Sequence, residues 1–261
     1  MNDEFVTVAG ARLRCRFDGA AEAPVVVLSN SLGTDLTMWD DQVPALAAHF
    51  RVLRYDTRGH GLSAVTPGPY SIEQLGRDVV GLLDGLNIER AHFCGLSMGG
   101  MTGMWLGINA PERLRRLVLA NTAAQIGPPD NWNARIAKVR ADGMAAISAA
   151  VLERWFTPPF HAQQPERVAA IRRILEGMPA DGYVAACAAV RDMDQRAAIR
   201  STRVPTLVIA GTGDLSTPPV DGRFLADSIA GARYVELPAA HISNIEAAAA
   251  FTSQLVEFLN A

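Results

Sequence analysis

The chain has 261 residues, of which 49% are hydrophobic and 20% charged; this allows one large domain or two small ones and excludes collagen-like, disordered and charged-repeat chains. With 24 basic and 27 acidic residues the net charge is −3. No run of Lys or Arg forms a stripe, so neither nucleic acid nor a membrane surface is an expected partner. Cys15, Cys94 and Cys187 are far apart and form no C-x-x-C pair, so reduced thiols are expected in place of disulfides or a cysteine zinc site. The opening MNDEFVTVAG has neither the basic nor the apolar part of a secretory leader, and no stretch approaches about 18 apolar residues. A cytoplasmic protein is expected.

In chain order, Val6–Val8 and Leu13–Phe17 alternate with period two around Gly10-Ala11 and predict a β-hairpin. Val25–Leu28 is then an unbroken apolar run, as in a parallel strand buried on both faces. Runs at Arg51–Tyr55, Ala91–Cys94, Leu117–Ala120, Thr206–Ala210 and Arg233–Glu236 repeat the signal. Ser71-Ile72-Glu73-Gln74 matches a capping box, and Ile72, Leu75, Val79, Leu82, Leu83 and Leu86 follow at helical spacing. Further helices are predicted after Ser97 and over Glu246–Leu259. Strands alternating with helices predict an α/β fold, with a mostly parallel sheet covered by helices on both faces. Between Asn121 and Arg200 the strand signal gives way to Ala- and Arg-rich stretches punctuated by proline. The expected organisation is therefore a core made of residues 1–121 and 201–261, with residues 122–200 inserted as a helical segment. Such an insertion is either a lid over a pocket or an elaboration of the surface.

The segment Cys94-Gly95-Leu96-Ser97-Met98-Gly99-Gly100 follows a strand and precedes a helix, which is the context of a G-x-S-x-G nucleophile elbow. Small residues two places before and after the serine let the strand and helix backbones approach while its hydroxyl projects. The helix N-terminus also offers unpaired N–H groups to an oxyanion, with that of Met98 as one donor. The loop after the first buried strand, Ser29 to Asp35, should supply the second donor, best matched by the N–H of Leu32. A serine hydroxyl needs a base held by a carboxylate. His241 follows the last strand at the C-terminal edge of the sheet, and Asp214 follows the strand before it. His49 ends an amphipathic segment, His60 lies in a Gly-flanked loop, His92 lies within a strand and His161 within the insertion. Structural or solvated roles are expected for these four. Asp192 and Asp194 in the insertion, and Asp221 at the start of a helical stretch, compete with Asp214 but are expected to be solvated surface.

The order Ser97, Asp214, His241, together with Asn30-Ser31-Leu32-Gly33-Thr34 and Tyr55-Asp56-Thr57-Arg58-Gly59-His60-Gly61-Leu62-Ser63, resembles an α/β-hydrolase with a helical cap. Among these it is most similar to the 3-oxoadipate enol-lactonases of bacterial aromatic-acid degradation. Many relatives carry His-Gly where this chain has Asn30-Ser31, which favours the lactonase over a generic esterase. The resemblance implies that Ser97 attacks the lactone carbonyl, His241 relays the proton and Asp214 holds the imidazole, with no metal or organic cofactor. It also implies a small-molecule lactone bearing a carboxylate, so a cationic cap residue is expected. Arg135 is the candidate cation, and Trp132 and Trp155 are candidate pocket walls; a solvated arginine and core tryptophans are the alternatives. A carboxylesterase, a perhydrolase or a carbon–carbon bond hydrolase of ring-cleavage products would use the same three residues. A ligand receptor on a hydrolase scaffold would keep them with little turnover. Haloalkane dehalogenation is disfavoured because it needs an aspartate where Ser97 stands.

Overall fold

The computed structural model describes residues 3–261; Met1 and Asn2, which open the segment read for a leader, lie outside them. The chain begins with the expected hairpin, β1 (Glu4–Val8) and β2 (Ala11–Asp18), followed by β3 (Val25–Ser29), α1 (Val43–Ala47), β4 (Arg51–Tyr55), α2 (Ile72–Gly85), β5 (Ala91–Leu96), α3 (Met98–Asn109) and β6 (Leu114–Ala120). Five successive helices come next: α4 (Pro129–Asp142), α5 (Ala145–Trp155), α6 (Pro158–Gln163), α7 (Pro165–Glu176) and α8 (Ala180–Asp192). The chain then returns to the sheet as β7 (Thr206–Gly211), α9 (Pro219–Ser228), β8 (Arg233–Leu237), α10 (Ser243–Glu246) and α11 (Ala248–Asn260). Among the described residues no helix is long and apolar enough to cross a membrane.

All eight strands form one sheet in the order β1-β2-β4-β3-β5-β6-β7-β8, antiparallel at β1–β2 and β2–β4 and parallel from β4 to β8. The parallel strands are the apolar runs of the sequence, because both of their faces lie under helices. The capping signal at Ser71 holds: its hydroxyl accepts the Gln74 N–H at 3.1 Å and starts α2. At the C-terminus the single predicted helix is in fact two, since Ala247 leaves the helical region (φ −116°, ψ 44°) between α10 and α11. Strands β5 and β6 are longer than the apolar runs. β6 starts at Leu114, which pairs with Ala91, and passes through Arg115 and Arg116 at a register irregularity before pairing resumes at Leu117 with Phe93.

Strand order decides where a site can form. After β3 the chain goes first to β4 on one side and then to β5 on the other, so the loops leaving β3 and β5 diverge at the C-terminal edge and open a crevice. Register aligns the other strand ends with it: Ser29 pairs with Gly95, Leu96 with Ala120, Ala120 with Ile209 and Gly211 with Leu237. The segments leaving these strands therefore emerge along one rim.

At the β5–α3 turn, a Cβ on Gly95 would lie 2.1 Å from the Gly99 carbonyl oxygen, and one on Gly99 would lie 2.2 Å from the Ser29 oxygen. Both obstacles are backbone and cannot swing aside. Gly99→Ala should destabilise the fold by the upper end of the about 1–3 kcal/mol typical of overpacking, read as a lower urea midpoint, with activity lost in parallel.

Candidate active site

Ser97 occupies the turn between β5 and α3 at φ 57° and ψ −114°, a left-handed conformation that projects its side chain from the strand end. Its backbone is fixed by its own N–H to the Ala120 oxygen (2.9 Å) and by the Thr122 hydroxyl to its carbonyl (2.8 Å). The Ser97 Oγ lies 2.9 Å from Nε2 of His241, and Nδ1 of His241 lies 2.8 Å from Oδ2 of Asp214. The structure thus brings together three side chains that are up to 144 positions apart in sequence.

Asp214 is nearly saturated with donors. Its Oδ1 accepts the N–H groups of Ser216 (2.7 Å) and Thr217 (3.0 Å), and its Oδ2 accepts the Thr217 hydroxyl (2.8 Å) and the Asn121 amide (3.0 Å) besides His241. Burial pushes this carboxyl up, but the charge of His241 and the hydrogen bonds from His241, Thr217 and Asn121 outweigh it and hold the group at about 2. An ionised carboxylate only accepts, so His241 must donate from Nδ1. In the neutral imidazole that leaves Nε2 as the acceptor facing the Ser97 hydroxyl, the tautomer a general base requires.

Met98 is the first residue of α3, and Leu32 lies in the loop after β3. Among the described residues neither backbone N–H donates a hydrogen bond within the protein. The loop is shaped by Asn30, whose amide donates to the Tyr55 oxygen (2.8 Å) and accepts the Trp39 indole N–H (2.9 Å). Ser97 and His241 open into a cavity of about 400 Å³ whose lining includes Leu32, Trp132, Arg135, Trp155 and Tyr183. Trp132, Arg135 and Trp155, the three residues expected near a substrate, are all in its wall. The Arg135 guanidinium sits 4.8 Å from the Trp132 ring centre and has no carboxylate partner among the described residues. A cation over an aromatic face thus shares one cavity with a serine hydroxyl bonded to an imidazole nitrogen. Among the described residues no cluster of His, Cys, Asp and Glu is grouped to hold a metal ion.

Residues 24–248 match the alpha/beta hydrolase fold family. The chain belongs to the α/β-hydrolase family. This hydrolase is 45% identical to 3-oxoadipate enol-lactonase 2 of Acinetobacter baylyi, over 89% of this chain and 87% of that one. It is 44% identical to 3-oxoadipate enol-lactonase 1 of the same organism, over 91% and 89%. The crystal structure of the enol-lactonase from Burkholderia xenovorans LB400 superposes with a TM-score of 0.98 at 52% identity, covering 99% of this chain and 100% of that one.

The hydrolase's other histidines stay out of the site. His49 is exposed, the His161 ring bonds the Leu152 oxygen (3.1 Å), His92 packs edge-on to Phe50 (5.5 Å between ring centres) and His60 is buried beside the Arg58 oxygen (3.3 Å). Asp192 and Asp194 pair with Arg191 and Arg196 at the surface. Asp221 departs from expectation: it is half-buried in the cavity wall, because α9 starts at the rim beside Asp214. Burial, then the charge of Asp214, raises its carboxyl above the usual range. Sequence reasoning missed Asn121, Thr122, Arg154 and Tyr183. The first two directly follow an apolar strand, the same signal that pointed to Asp214 and His241. Nothing in the sequence marked Arg154 and Tyr183 as cavity residues.

Burial holds the His60 imidazole at about 4 and that of His92 at about 4, so both are neutral when folded. The unfolded chain takes up these protons below about 6.5, so stability falls as the pH drops from 6.5 to 4. In urea titrations His60 should account for a loss of about 3 kcal/mol over that window, and His60→Gln should lack that part of the loss.

Proposed function

We propose that this hydrolase opens 3-oxoadipate enol-lactone to 3-oxoadipate through an acyl-enzyme on Ser97, as a step in bacterial degradation of aromatic compounds. One observation carries the reading: the cavity holding Ser97 and His241 also holds Arg135, a cation with no carboxylate partner among the described residues. A lactone bearing a carboxylate presents one group to each. The substrate class comes from the enol-lactonases to which the chain is 44–45% identical.

In this reading Ser97 Oγ attacks the lactone carbonyl as its proton passes to His241 Nε2, and Asp214 stabilises the imidazolium. The oxyanion is received by the N–H groups of Leu32 and Met98. Collapse of the tetrahedral intermediate breaks the ring carbon–oxygen bond, and His241 returns its proton to the departing enolate oxygen. The leaving group of a lactone stays tethered to the acyl chain, where it could close the ring again. Tautomerisation of the enol to the ketone removes that internal nucleophile. Water, deprotonated by His241, then releases the acid and regenerates Ser97. Arg135 holds the pre-existing carboxylate, Trp132 and Trp155 wall the ring, and helices α4 to α8 form the cap that separates the acyl-enzyme from bulk water.

Loss of enol-lactone absorbance, with p-nitrophenyl esters for comparison, tests the reading. Ser97→Ala and His241→Ala should each lower kcat at least about a thousandfold, and Asp214→Asn by about 10³- to 10⁴-fold. Arg135→Ala should raise KM for the lactone by about tenfold or more and leave the neutral esters unaffected. Ser97-dependent turnover of esters with an untouched lactone would keep the mechanism and discard the substrate.

A further inference from the structure

Asn121 is the first residue after β6, is buried, and adopts a left-handed backbone (φ 43°) while its N–H bonds the Ile209 oxygen at 2.8 Å. Its side-chain nitrogen lies 3.0 Å from Asp214 Oδ2 and 3.1 Å from the Ala240 oxygen, and its side-chain oxygen accepts the Ser243 hydroxyl at 2.5 Å. The amide orientation is set by its partners. An ionised carboxylate and a carbonyl can only accept, so the nitrogen faces them and the oxygen faces the hydroxyl. Ala240 and Ser243 bracket His241 and Ile242. One amide therefore grips the loop carrying the histidine on both sides and, with the same nitrogen, the carboxylate oxygen that the histidine bonds.

We infer that Asn121 is a positioning residue that sets the Asp214–His241 pair from outside it. The inference rests on the reading of Ser97, His241 and Asp214 as the working unit, to which it adds a member that touches no reacting atom. Backbone bonds from the Thr212 N–H to the Leu237 oxygen (2.9 Å) and from the Gly213 N–H to the Ala239 oxygen (2.9 Å) already tie the loops after β7 and β8 to each other. Asn121 adds, from the end of a third strand, bonds to the carboxylate oxygen that His241 uses and to the residues flanking His241, and its donation to Oδ2 helps keep Asp214 ionised. The neighbouring Thr122 hydroxyl on the Ser97 carbonyl (2.8 Å) extends the same strand end to the serine. The charged groups around the His241 loop and cavity are Asp214 after β7, Asp221 on α9, Glu246 on α10, which accepts the Ala240 N–H (2.8 Å), and Arg135 and Arg154 on α4 and α5. Substitution of Asn121 leaves every one of them in place.

The test compares Asn121→Asp and Asn121→Ala with the parent, in kcat and KM from pH 5 to 9, on the enol-lactone or on an ester with Ser97-dependent turnover. The new carboxyl of Asn121→Asp faces Asp214 and can donate to Oδ2 only while protonated. Its kcat relative to the parent should be within about threefold at low pH and fall at least about tenfold as that proton leaves. Asn121→Ala lacks the donor at every pH and should show a uniform loss of kcat of about tenfold with KM nearly unchanged. A purely structural role would lower thermal stability in both variants and leave the kcat ratio of Asn121→Asp flat with pH. That flat ratio, or an Asn121→Ala variant with parental kcat, overturns the inference. The low-field NMR signal of the His241 Nδ1 proton, assigned by its loss in His241→Ala, reads the same contact without substrate. It should shift in both Asn121 variants, and an unmoved signal rejects the positioning role. If Ser97→Ala retains full turnover, the reading of the site fails while the NMR result still decides the question about Asn121.

Discussion

The site depends on a backbone collision avoided at one turn. Ser97 can leave the end of β5 in a left-handed conformation, and α3 can start at once beneath it, only because Gly95 and Gly99 leave room for strand and helix backbones to touch. Any side chain at either position would push α3 away from β3 and β5. The Met98 N–H would then turn from its present direction, and the crevice between the loops after β3 and β5 would lose one wall. Burial under helices on both faces stabilises the sheet that bears this strain. The apolar strands therefore serve the site indirectly, by holding an arrangement that an isolated turn would relax.

Charge is arranged around this turn so that the ionisation of Asp214 is fixed before any ligand arrives. Five donors on Asp214 hold it ionised despite burial, and an ionised Asp214 leaves His241 one workable tautomer. The two other buried imidazoles, His60 and His92, lack such a carboxylate, and desolvation keeps them neutral. Among the carboxyls, burial ends in opposite outcomes: Asp214, with its donors, is held low, whereas Asp221, which lies in the same cavity wall, has its carboxyl raised.

The helices inserted between β6 and β7 are tied to the strand-end loops at specific points. The Ala185 oxygen on α8 accepts the Tyr70 N–H (3.1 Å). The end of α5 is bonded from the Ile242 N–H to the Trp155 oxygen (3.1 Å), and Glu246 accepts both the Thr157 N–H (3.2 Å) and the Ala240 N–H (2.8 Å). Trp155 lines the cavity, so a wall residue and the His241 loop share a hydrogen-bonded frame. In the proposed reaction this frame keeps the bound ring and the base in a constant relation, and α4 presents Arg135 and Trp132 from the other wall.

The local alphabet was legible without coordinates. Unbroken apolar runs marked the parallel strands because both faces of such a strand are buried, and Gly-x-Ser-x-Gly between strand and helix marked the elbow because no other residues fit the turn. Positions just past the apolar runs identified Asp214 and His241 because parallel strands share one C-terminal edge. What local pattern does not contain is lateral order. His241 meets Asp214 across 27 residues and Ser97 across 144 only because strand order and register place β5, β7 and β8 as they are. For the same reason Asn121 looked like a residue ending a strand, Asp221 like solvated surface, and Arg154 and Tyr183 like ordinary helix positions. Which elements form, and which residues were candidates for chemistry, could be read along the chain because near-neighbour sterics and periodicity dictate the one and mark the other. Which of those residues face one another, and hence the tautomer, the ionisation states and the walls of the cavity, required the folded arrangement, because these arise from contacts between segments that sequence spacing does not relate.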